Sequence, residues 1–282
     1  MRSQRSIREH VSVALAAATA MLAAVQPVGA AATGQVFVPR GAAVQVAVVL
    51  PFSGNLDLLG AAAWNAVQLA VEKHSRIKGF PVQLNTFDGP CGPDGGLNVL
   101  AANQVVANPQ NVGVIGHFCS NHFIQALPVY EAAGVVTISG SSTGAIVPPF
   151  GPSVFNSVAV SDACCPIEDQ FSPWYSMVSQ LPGDLFWRRQ VYQREVGTAP
   201  LDYSDLYYDA TSLLLNRIAG VASLDDGGNL VIDRAALAQA VRSTAGFDGV
   251  TCEITLDARG FRVNDSASLA KCAARGWQHA GP

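Results

Sequence analysis

The feature that most constrains the fold of this chain is a regular alternation of apolar strand segments with amphipathic helical segments. Strands are predicted at 44–50, 82–87, 112–118, 134–139 and 155–161. Helices are predicted at 62–75, at about 95–107 and from about 120 onward. Parallel sheets covered on both faces by crossover helices have this pattern. We therefore expect an α/β fold with a doubly wound parallel sheet and a ligand site at the carboxyl ends of its strands.

Small hydrogen-bonding residues follow two of these strands. The stretch VIGHFCSNH leads into Ser120 and Asn121, and the strand at 134–139 leads into Ser141, Ser142 and Thr143. Ser and Asn are favoured at helix N-termini, where backbone N–H groups and the helix dipole attract anions. The five residues therefore form the predicted ligand site, suited to a small carboxylate. An alternative stays open, in which Ser120 only caps its own helix.

The N-terminal segment has the pattern of a secretory signal. Residues 1–32 contain Arg2, Arg5 and Arg8, then a short alanine-rich apolar run, then small residues typical of a cleavage site. The run is too short for a comfortable membrane span, so we predict no transmembrane helix and a periplasmic or secreted protein. The charge of −4 becomes more negative on removal of this segment. The lysines and arginines are scattered singly along the chain and form no basic patch, so we predict no nucleic-acid partner.

Six cysteines in an exported chain are expected to form disulfides. Cys91 follows one predicted strand and Cys119 ends the neighbouring one, so these two are expected to pair. A second plausible pair is formed by Cys252 and Cys272, whereas the adjacent Cys164 and Cys165 stay unassigned. A metal cluster of His117, Cys119 and His122 is disfavoured because it lacks the paired spacing of a zinc site. We therefore predict no metal and no cofactor.

Several segments together resemble the periplasmic solute-binding proteins of ABC transporters for branched-chain amino acids (Leu/Ile/Val) and amides. They are VAVVLPFSG with Gly60, the loop cysteine Cys91, VIGHFCS, GVVTISGSST, LYYDATSLLL and FDGVTCEITLDARG. The resemblance implies the lobe of a type I periplasmic binding protein and the Cys91–Cys119 disulfide. It also implies carboxylate binding by Ser120, amino-group binding by Ser141 and Thr143, and an ABC permease as partner. Leu59 departs from the family, whose members often have an aromatic residue there.

A larger departure from the family follows the fifth strand. In the family this strand leads across a hinge into a second lobe, which supplies an acid for the ligand's amino group. Here residues 162–184 show no βα alternation, and the following segment already resembles the part that returns to lobe one. We predict one α/β lobe from 44–161 plus 185–262, a short connector at 162–184, a tail at 263–282, and a second lobe that is largely missing.

Without a second lobe, another group must bind the ligand's amino group and another surface must cover the ligand. Asp162, Glu168 and Asp169 in the connector are candidate acids for the amino group, with solvated loop charges as the favoured alternative. A homodimer would supply the missing wall of an open half-site.

Two other functions are alternatives to solute binding. Gly140-x-Ser142-x-Gly144 matches the nucleophile elbow of serine hydrolases, with Asp248 or Asp257 and His279 in the required order. Pro148 and Pro149 lie where the helix after the elbow would run, which argues against this enzyme. The other alternative is a truncated receptor that folds but binds no solute. The favoured prediction is a non-catalytic binding protein.

Overall fold

A central mixed sheet organises the protein in the computed structural model, which describes residues 34–93, 95–143, 156–160 and 187–263. Its order is β3-β4-β2-β5-β6. Strands β4, β2, β5 and β6 are parallel, and β3 forms an antiparallel hairpin with β4. The strands are β2 (Val44–Leu50), β3 (Arg76–Ile77), β4 (Phe80–Asp88), β5 (Asn111–Gly116) and β6 (Val136–Ile138). The predicted parallel α/β fold is confirmed.

Helices cover both faces of this sheet. On one face α1 (Asp57–Lys73) packs against α5 (Ser204–Val221), and on the other α2 (Gly96–Ala107) packs against α3 (Ser120–Ala133). The alternation of side chains along β2 serves both layers. Val46 and Val48 lie in the apolar cluster with α1 and α5, whereas Ala47 and Val49 lie in the cluster with α2 and α3. A strand buried on both faces is expected to be almost entirely apolar, as β2 is apart from Gln45.

Residues from the end of the described chain return to the same layers. Strand β7 (Ser157–Val160) pairs in parallel with β12 (Phe261–Arg262), and a parallel bridge joins Ser139 to Ser157 beyond β6. A π-helical turn (Trp187–Tyr192) and α4 (Gln193–Val196) precede α5, and α6 (Arg234–Arg242) packs against α5. The strand order from β4 to β7 is therefore that of a doubly wound fold.

Two small antiparallel sheets were not expected. Strands β1 (Gln35–Val38), β9 (Leu230–Asp233) and β8 (Ser223–Leu224) form one. Strands β10 (Phe247–Gly249) and β11 (Cys252–Ile254) form the other. These strands are four residues or shorter, so their periodicity is too brief for recognition from sequence.

Several predicted boundaries were wrong, and two of them have a clear physical reason. Helix α1 begins at Asp57, inside a segment predicted as loop, where the Asp57 carboxylate accepts the Leu58 N–H. An acidic residue in the first turn suits the helix dipole. Strand β5 ends at Gly116, two residues early, because Gly116 has a φ of 126°. The side chains after it therefore leave the sheet and turn toward the helix that follows.

Within the described residues, no helix is long and apolar enough to cross a membrane. The predicted signal at 1–32, the connector at 162–184, Cys164, Cys165 and Cys272 lie outside the described residues. Cys252 is disulfide-bonded.

Candidate functional site

The crossover helices leave the sheet in opposite directions between β2 and β5. The chain after β2 enters α1 on one face, and the chain after β5 enters α3 on the other. Because the two connections diverge, a crevice opens at the carboxyl ends of these neighbouring strands. In open parallel sheets, ligands bind at this topological switch point.

A cavity of about 590 Å³ occupies the switch point. Its size suits a small molecule. The wall comes from the loops after β2, β4, β5 and β6, from the first turns of α1 and α3, and from the residue before α5. The lining residues are Asn55, Leu56, Leu59, Cys91, Gly92, Pro93, Phe118, Cys119, Ser120, Asn121, His122, Ser141 and Tyr203. Among these described residues there is no carboxylate, ammonium or guanidinium group.

The start of α3 and the loop after β6 meet at this cavity, as the sequence predicted. Cys119 is the N-cap of α3 and Ser120 is its first residue. The Ser120 hydroxyl oxygen accepts the backbone N–H of Thr143 at 3.1 Å. Both residues are half-buried, and Asn121 is exposed at the rim. The structure therefore brings Ser120, Asn121 and Thr143 together at one edge.

Ser141 and Ser142 direct their hydroxyls into the protein. The Ser141 hydroxyl donates to the Phe118 carbonyl at 2.7 Å and lies 2.9 Å from the Tyr207 hydroxyl. Ser142 is fully buried, with its hydroxyl 3.3 Å from the His117 carbonyl. These bonds fix the loop after β6 against the end of β5. Only Ser141 of the two contributes to the cavity wall.

An aromatic and aliphatic wall faces the polar start of α3. Phe118 stacks on Tyr207 with ring centroids 5.6 Å apart and meets the edge of Tyr203 at 5.8 Å. Leu56, the N-cap of α1, and Leu59 in its first turn complete this side. Sequence reasoning missed Tyr203 because it lies far along the chain. The nearest signal is its place just before the predicted returning helix.

Asp88 at the end of β4 fixes the start of the loop that leads through Leu56 into α1. Its carboxylate accepts the N–H groups of Phe52 at 2.9 Å and Ser53 at 3.2 Å, together with the Ser53 hydroxyl. Charge-assisted bonds of this kind are stronger than neutral ones. Asp88 is therefore a positioning residue for one wall of the cavity, and sequence reasoning did not identify it.

The expected Cys91–Cys119 disulfide is present, with Cα atoms 5.9 Å apart. It joins the loop after β4 to the N-cap of α3 and forms part of the cavity wall. His117 points elsewhere, bonded to the Asn98 side chain at 2.7 Å and to the Tyr130 hydroxyl at 2.9 Å. Burial lowers its pKa to about 3, so the imidazole is neutral. His117 is accordingly a core residue, and its ring nitrogens are bonded to Asn98 and Tyr130 within the protein.

The structure argues against the serine hydrolase alternative, because its nucleophile Ser142 is not accessible to a substrate. Ser142 is fully buried and its hydroxyl is bonded within the protein, so a substrate carbonyl cannot reach it. His279, the predicted base, lies outside the described residues. A nucleophile must lie within hydrogen-bond reach of its base and be exposed to substrate.

Comparison with known proteins gives relatives and a fold but no matching family model. Over 103 residues the chain is 32% identical to an amino acid binding protein of Pseudomonas aeruginosa and 33% identical to the Leu/Ile/Val-binding protein of Escherichia coli. Each match covers 36% of this chain and 27% of the relative, so the matched region spans about a quarter of the relatives' length.

Solved structures extend this likeness over most of the chain. A leucine binding protein from Thermotoga maritima superposes with a TM-score of 0.61 at 16% identity, covering 78% of this chain and 93% of that one. The fold is thus that of leucine binding proteins and other substrate-binding proteins of ABC transporters, and over 103 residues the sequence is similar to amino acid and Leu/Ile/Val-binding proteins.

Proposed function

We propose that this chain, which shares the fold of leucine-binding proteins, is an exported, non-catalytic solute-binding protein of an ABC-type uptake system. Its solute is a branched-chain or other aliphatic amino acid, or a related amide. The proposal rests on one observation above all. A small cavity lies at the topological switch point, with the start of α3 on one side and an apolar wall on the other.

The two sides of the cavity suit the two ends of such a solute. The carboxylate would lie at the N-terminus of α3 beside Ser120, where the helix dipole favours negative charge. The aliphatic side chain would pack against Leu59, Phe118 and Tyr203. Because no acid is among the described lining residues, the amino group would be bound by hydroxyl and carbonyl oxygens near Ser141 and Thr143.

Affinity depends on what covers the open side of the cavity. Receptors of this fold close two lobes around the solute, which removes water and adds contacts from the second side. We propose that residues 44–161 and 185–262 form a single lobe here, with 162–184 as a connector. Binding by one lobe is weak unless a second copy of the chain or the permease supplies the other wall.

Isothermal titration calorimetry with leucine, isoleucine, valine and a short amide tests the proposal. We expect Ser120→Ala to weaken binding at least about tenfold, since losing a hydrogen bond to a charged group costs about 1.5–3 kcal/mol. Ser120→Thr, which keeps a hydroxyl, should retain most of the affinity. Ser223→Ala, on the exposed strand β8, is the matched control. Unchanged affinity in both Ser120→Ala and Thr143→Ala would place the site elsewhere.

A scaffold that binds no solute is the second candidate, because the shortened chain lacks a closing lobe. A thermal-shift screen of amino acids, amides and small carboxylates separates the two. Binding to the native state raises the melting temperature by mass action, whereas a bare scaffold shows no shift at any concentration.

Export is tested independently of binding. Expression with the full N-terminus in a Gram-negative host should give a mature chain that begins near residues 31–34, recovered from the periplasm or medium. Mass spectrometry of the secreted chain measures its first residue directly. A chain that retains Met1 in the cytoplasm would contradict the localisation.

A further inference from the structure

A group of three potential metal ligands lies in the cavity wall, distinct from the residues proposed to bind solute. One ring nitrogen of His122 and the sulfurs of Cys91 and Cys119 all lie within 4.8 Å of one another. Cys91 comes from the loop after β4, Cys119 is the N-cap of α3 and His122 lies in its first turn, and all three line the cavity. In the oxidised protein the sulfurs are joined as the disulfide, which leaves no thiolate for a metal.

His122 has the environment of a metal-ligating histidine. Its Nε2 lies 2.7 Å from the Gly92 carbonyl oxygen, and because a carbonyl only accepts, Nε2 carries the proton. The lone pair is therefore on Nδ1. Nδ1 has no hydrogen-bond partner among the described residues although the side chain is only 4% exposed. Metal-bound histidines typically donate their other N–H to a backbone carbonyl or carboxylate in this way.

A buried imidazole nitrogen without a partner is costly, because it has lost its hydrogen bond to water. Such a group calls for an explanation beyond packing. The two cysteine sulfurs at the same cavity wall suggest the explanation that the nitrogen is a metal ligand, since thiolate and imidazole are the ligands that zinc prefers.

We propose that, when its disulfide is reduced, the chain binds one zinc-like divalent ion through Cys91, Cys119 and His122 at the cavity wall. The disulfide and the metal are then alternative states of the same two cysteines. The inference is independent of the proposed solute, because it uses neither Ser120 nor Thr143.

The chain passes from the disulfide state to the metal-bound state in two steps. A dithiol reductant transfers two electrons and two protons to the Cys91–Cys119 bond, giving two thiols, and itself becomes a disulfide. The metal ion then displaces the two thiol protons and is bound by two thiolates and one neutral imidazole.

The geometry requires a modest rearrangement of one loop. With Zn–S bonds of about 2.3 Å at a tetrahedral angle, the two sulfurs would lie about 3.8 Å apart, so they must separate after reduction. A Cβ atom at Gly92, next to Cys91, would meet nothing within 4 Å, so side-chain packing at this position does not oppose a shift of the loop after β4. Three protein ligands leave a fourth position that faces the cavity, as in zinc sites that keep an exchangeable ligand.

Cobalt(II) titration of the full mature chain tests the site, because thiolate-bound tetrahedral Co²⁺ absorbs strongly where the protein does not. The chain is reduced with a dithiol under anaerobic conditions and freed of reductant. We expect sulfur-to-cobalt charge-transfer and tetrahedral ligand-field bands that saturate at one ion per chain and disappear when Zn²⁺ is added. The oxidised chain, of identical sequence, should show neither band.

Matched variants assign the ligands. His122→Gln keeps a donor for the Gly92 carbonyl but removes the free ring nitrogen, and we expect at least about tenfold weaker binding with an altered spectrum. Cys91→Ser should abolish the bands. A Cys164→Ser/Cys165→Ser double variant should retain them. Residue-specific alkylation gives a second readout, in which Zn²⁺ protects Cys91 and Cys119 from iodoacetamide.

Three results would overturn the proposal. In the first, the reduced wild-type chain gives no bands beyond those of Cys91→Ser. In the second, His122→Gln binds cobalt with unchanged affinity and spectrum. In the third, circular dichroism shows that the reduced chain unfolds and that Zn²⁺ does not restore its structure, since the three ligands then have no common site.

Discussion

At the scale of single residues, Gly60 shows how closely α1 approaches the loop that leads into it. A Cβ atom at this position would lie 1.9 Å from the carbonyl oxygen of Pro51 and 2.7 Å from its carbonyl carbon. Both are backbone atoms, so no side-chain rotation relieves the overlap. Leu56 at the N-cap of α1 and Leu59 in its first turn line the cavity, and a displaced α1 would therefore also alter the site.

We predict that Gly60→Ala destabilises the fold by about 2 kcal/mol or more, because overpacking against backbone forces a shift of α1. Gly220→Ala is the matched control, since Gly220 is an exposed residue of α5 with nothing within 4 Å of its Cβ position. It should stabilise the protein by about 0.5–1 kcal/mol, as expected for glycine to alanine in a helix. Urea unfolding measures both, and a Gly60→Ala variant as stable as Gly220→Ala would contradict the prediction.

Sequence reasoning located the candidate site better than it described the individual side chains. Ser120 and Thr143 lie together because parallel strand ends meet at one edge of a sheet, which the strand pattern already implied. The inward direction of the Ser142 hydroxyl depends on the conformation of the loop after β6 and on His117, which no local pattern encodes. Tyr203 and Asp88 were missed for a related reason, since each acts through contacts with residues distant in sequence.

At the scale of elements, the strands were predicted best because their composition reflects burial on both faces. Strand β2 matches its predicted limits, and β4 and α2 differ by at most two residues at either end. The short antiparallel sheets were not predicted, because pairing partners such as β1 and β9 are separated by almost two hundred residues. Strands of this length form only where the rest of the fold holds them side by side.

A buried charged cluster joins α5 to the strands at the end of the described chain. The Asp209 carboxylate on α5 accepts the N–H groups of Val250 at 2.8 Å and Thr251 at 2.9 Å, and also the Thr251 hydroxyl. Arg262 of β12 donates to the same hydroxyl oxygen at 2.7 Å and to the Thr251 carbonyl at 2.7 Å. Burial raises the pKa of Asp209 to about 6 even though these hydrogen bonds and Arg262 favour the ionised form.

Because the pKa of Asp209 is raised in the folded state, we predict that the free energy of unfolding falls as pH rises. The folded state binds the Asp209 proton more tightly than the unfolded chain, whose carboxyl pKa is near 3.8. The stabilisation is therefore fully present below pH 3.8 and is lost as pH rises through about 6, with a total change of up to about 3 kcal/mol. Urea unfolding of wild type and Asp209→Asn from pH 4 to pH 7 measures it.

The difference in the free energy of unfolding between wild type and Asp209→Asn separates the effect of Asp209 from that of other groups that titrate in the same pH range. Asp209→Asn should be less stable throughout, because its amide N–H₂ faces backbone donors. Relative to this variant, the wild type should lose stability as pH rises from 4 to 7. Parallel pH profiles for the two proteins would show that Asp209 has the same pKa in the folded and unfolded states.

At the scale of the whole molecule, the central prediction is that the chain folds as a single lobe. The described residues 187–263 pack on the sheet that residues 44–160 build, through α5 on α1 and β12 on β7. This packing supports the prediction that the chain returns to its first lobe. A second lobe built from the intervening two dozen residues would be too small for a core of its own.

We therefore predict that solute binding leaves the dimensions of the mature chain unchanged. Two-lobed receptors become more compact when a hinge closes around the ligand, whereas a single lobe has no hinge to close. Small-angle scattering with and without saturating leucine, at several protein concentrations, should give the same radius of gyration for each assembly state. A concentration-dependent rise in mass would identify a homodimer that covers the open cavity. Compaction at constant mass on adding leucine would instead show a closing hinge, and would require that the residues between β7 and the π-helical turn build a second wall of the cavity.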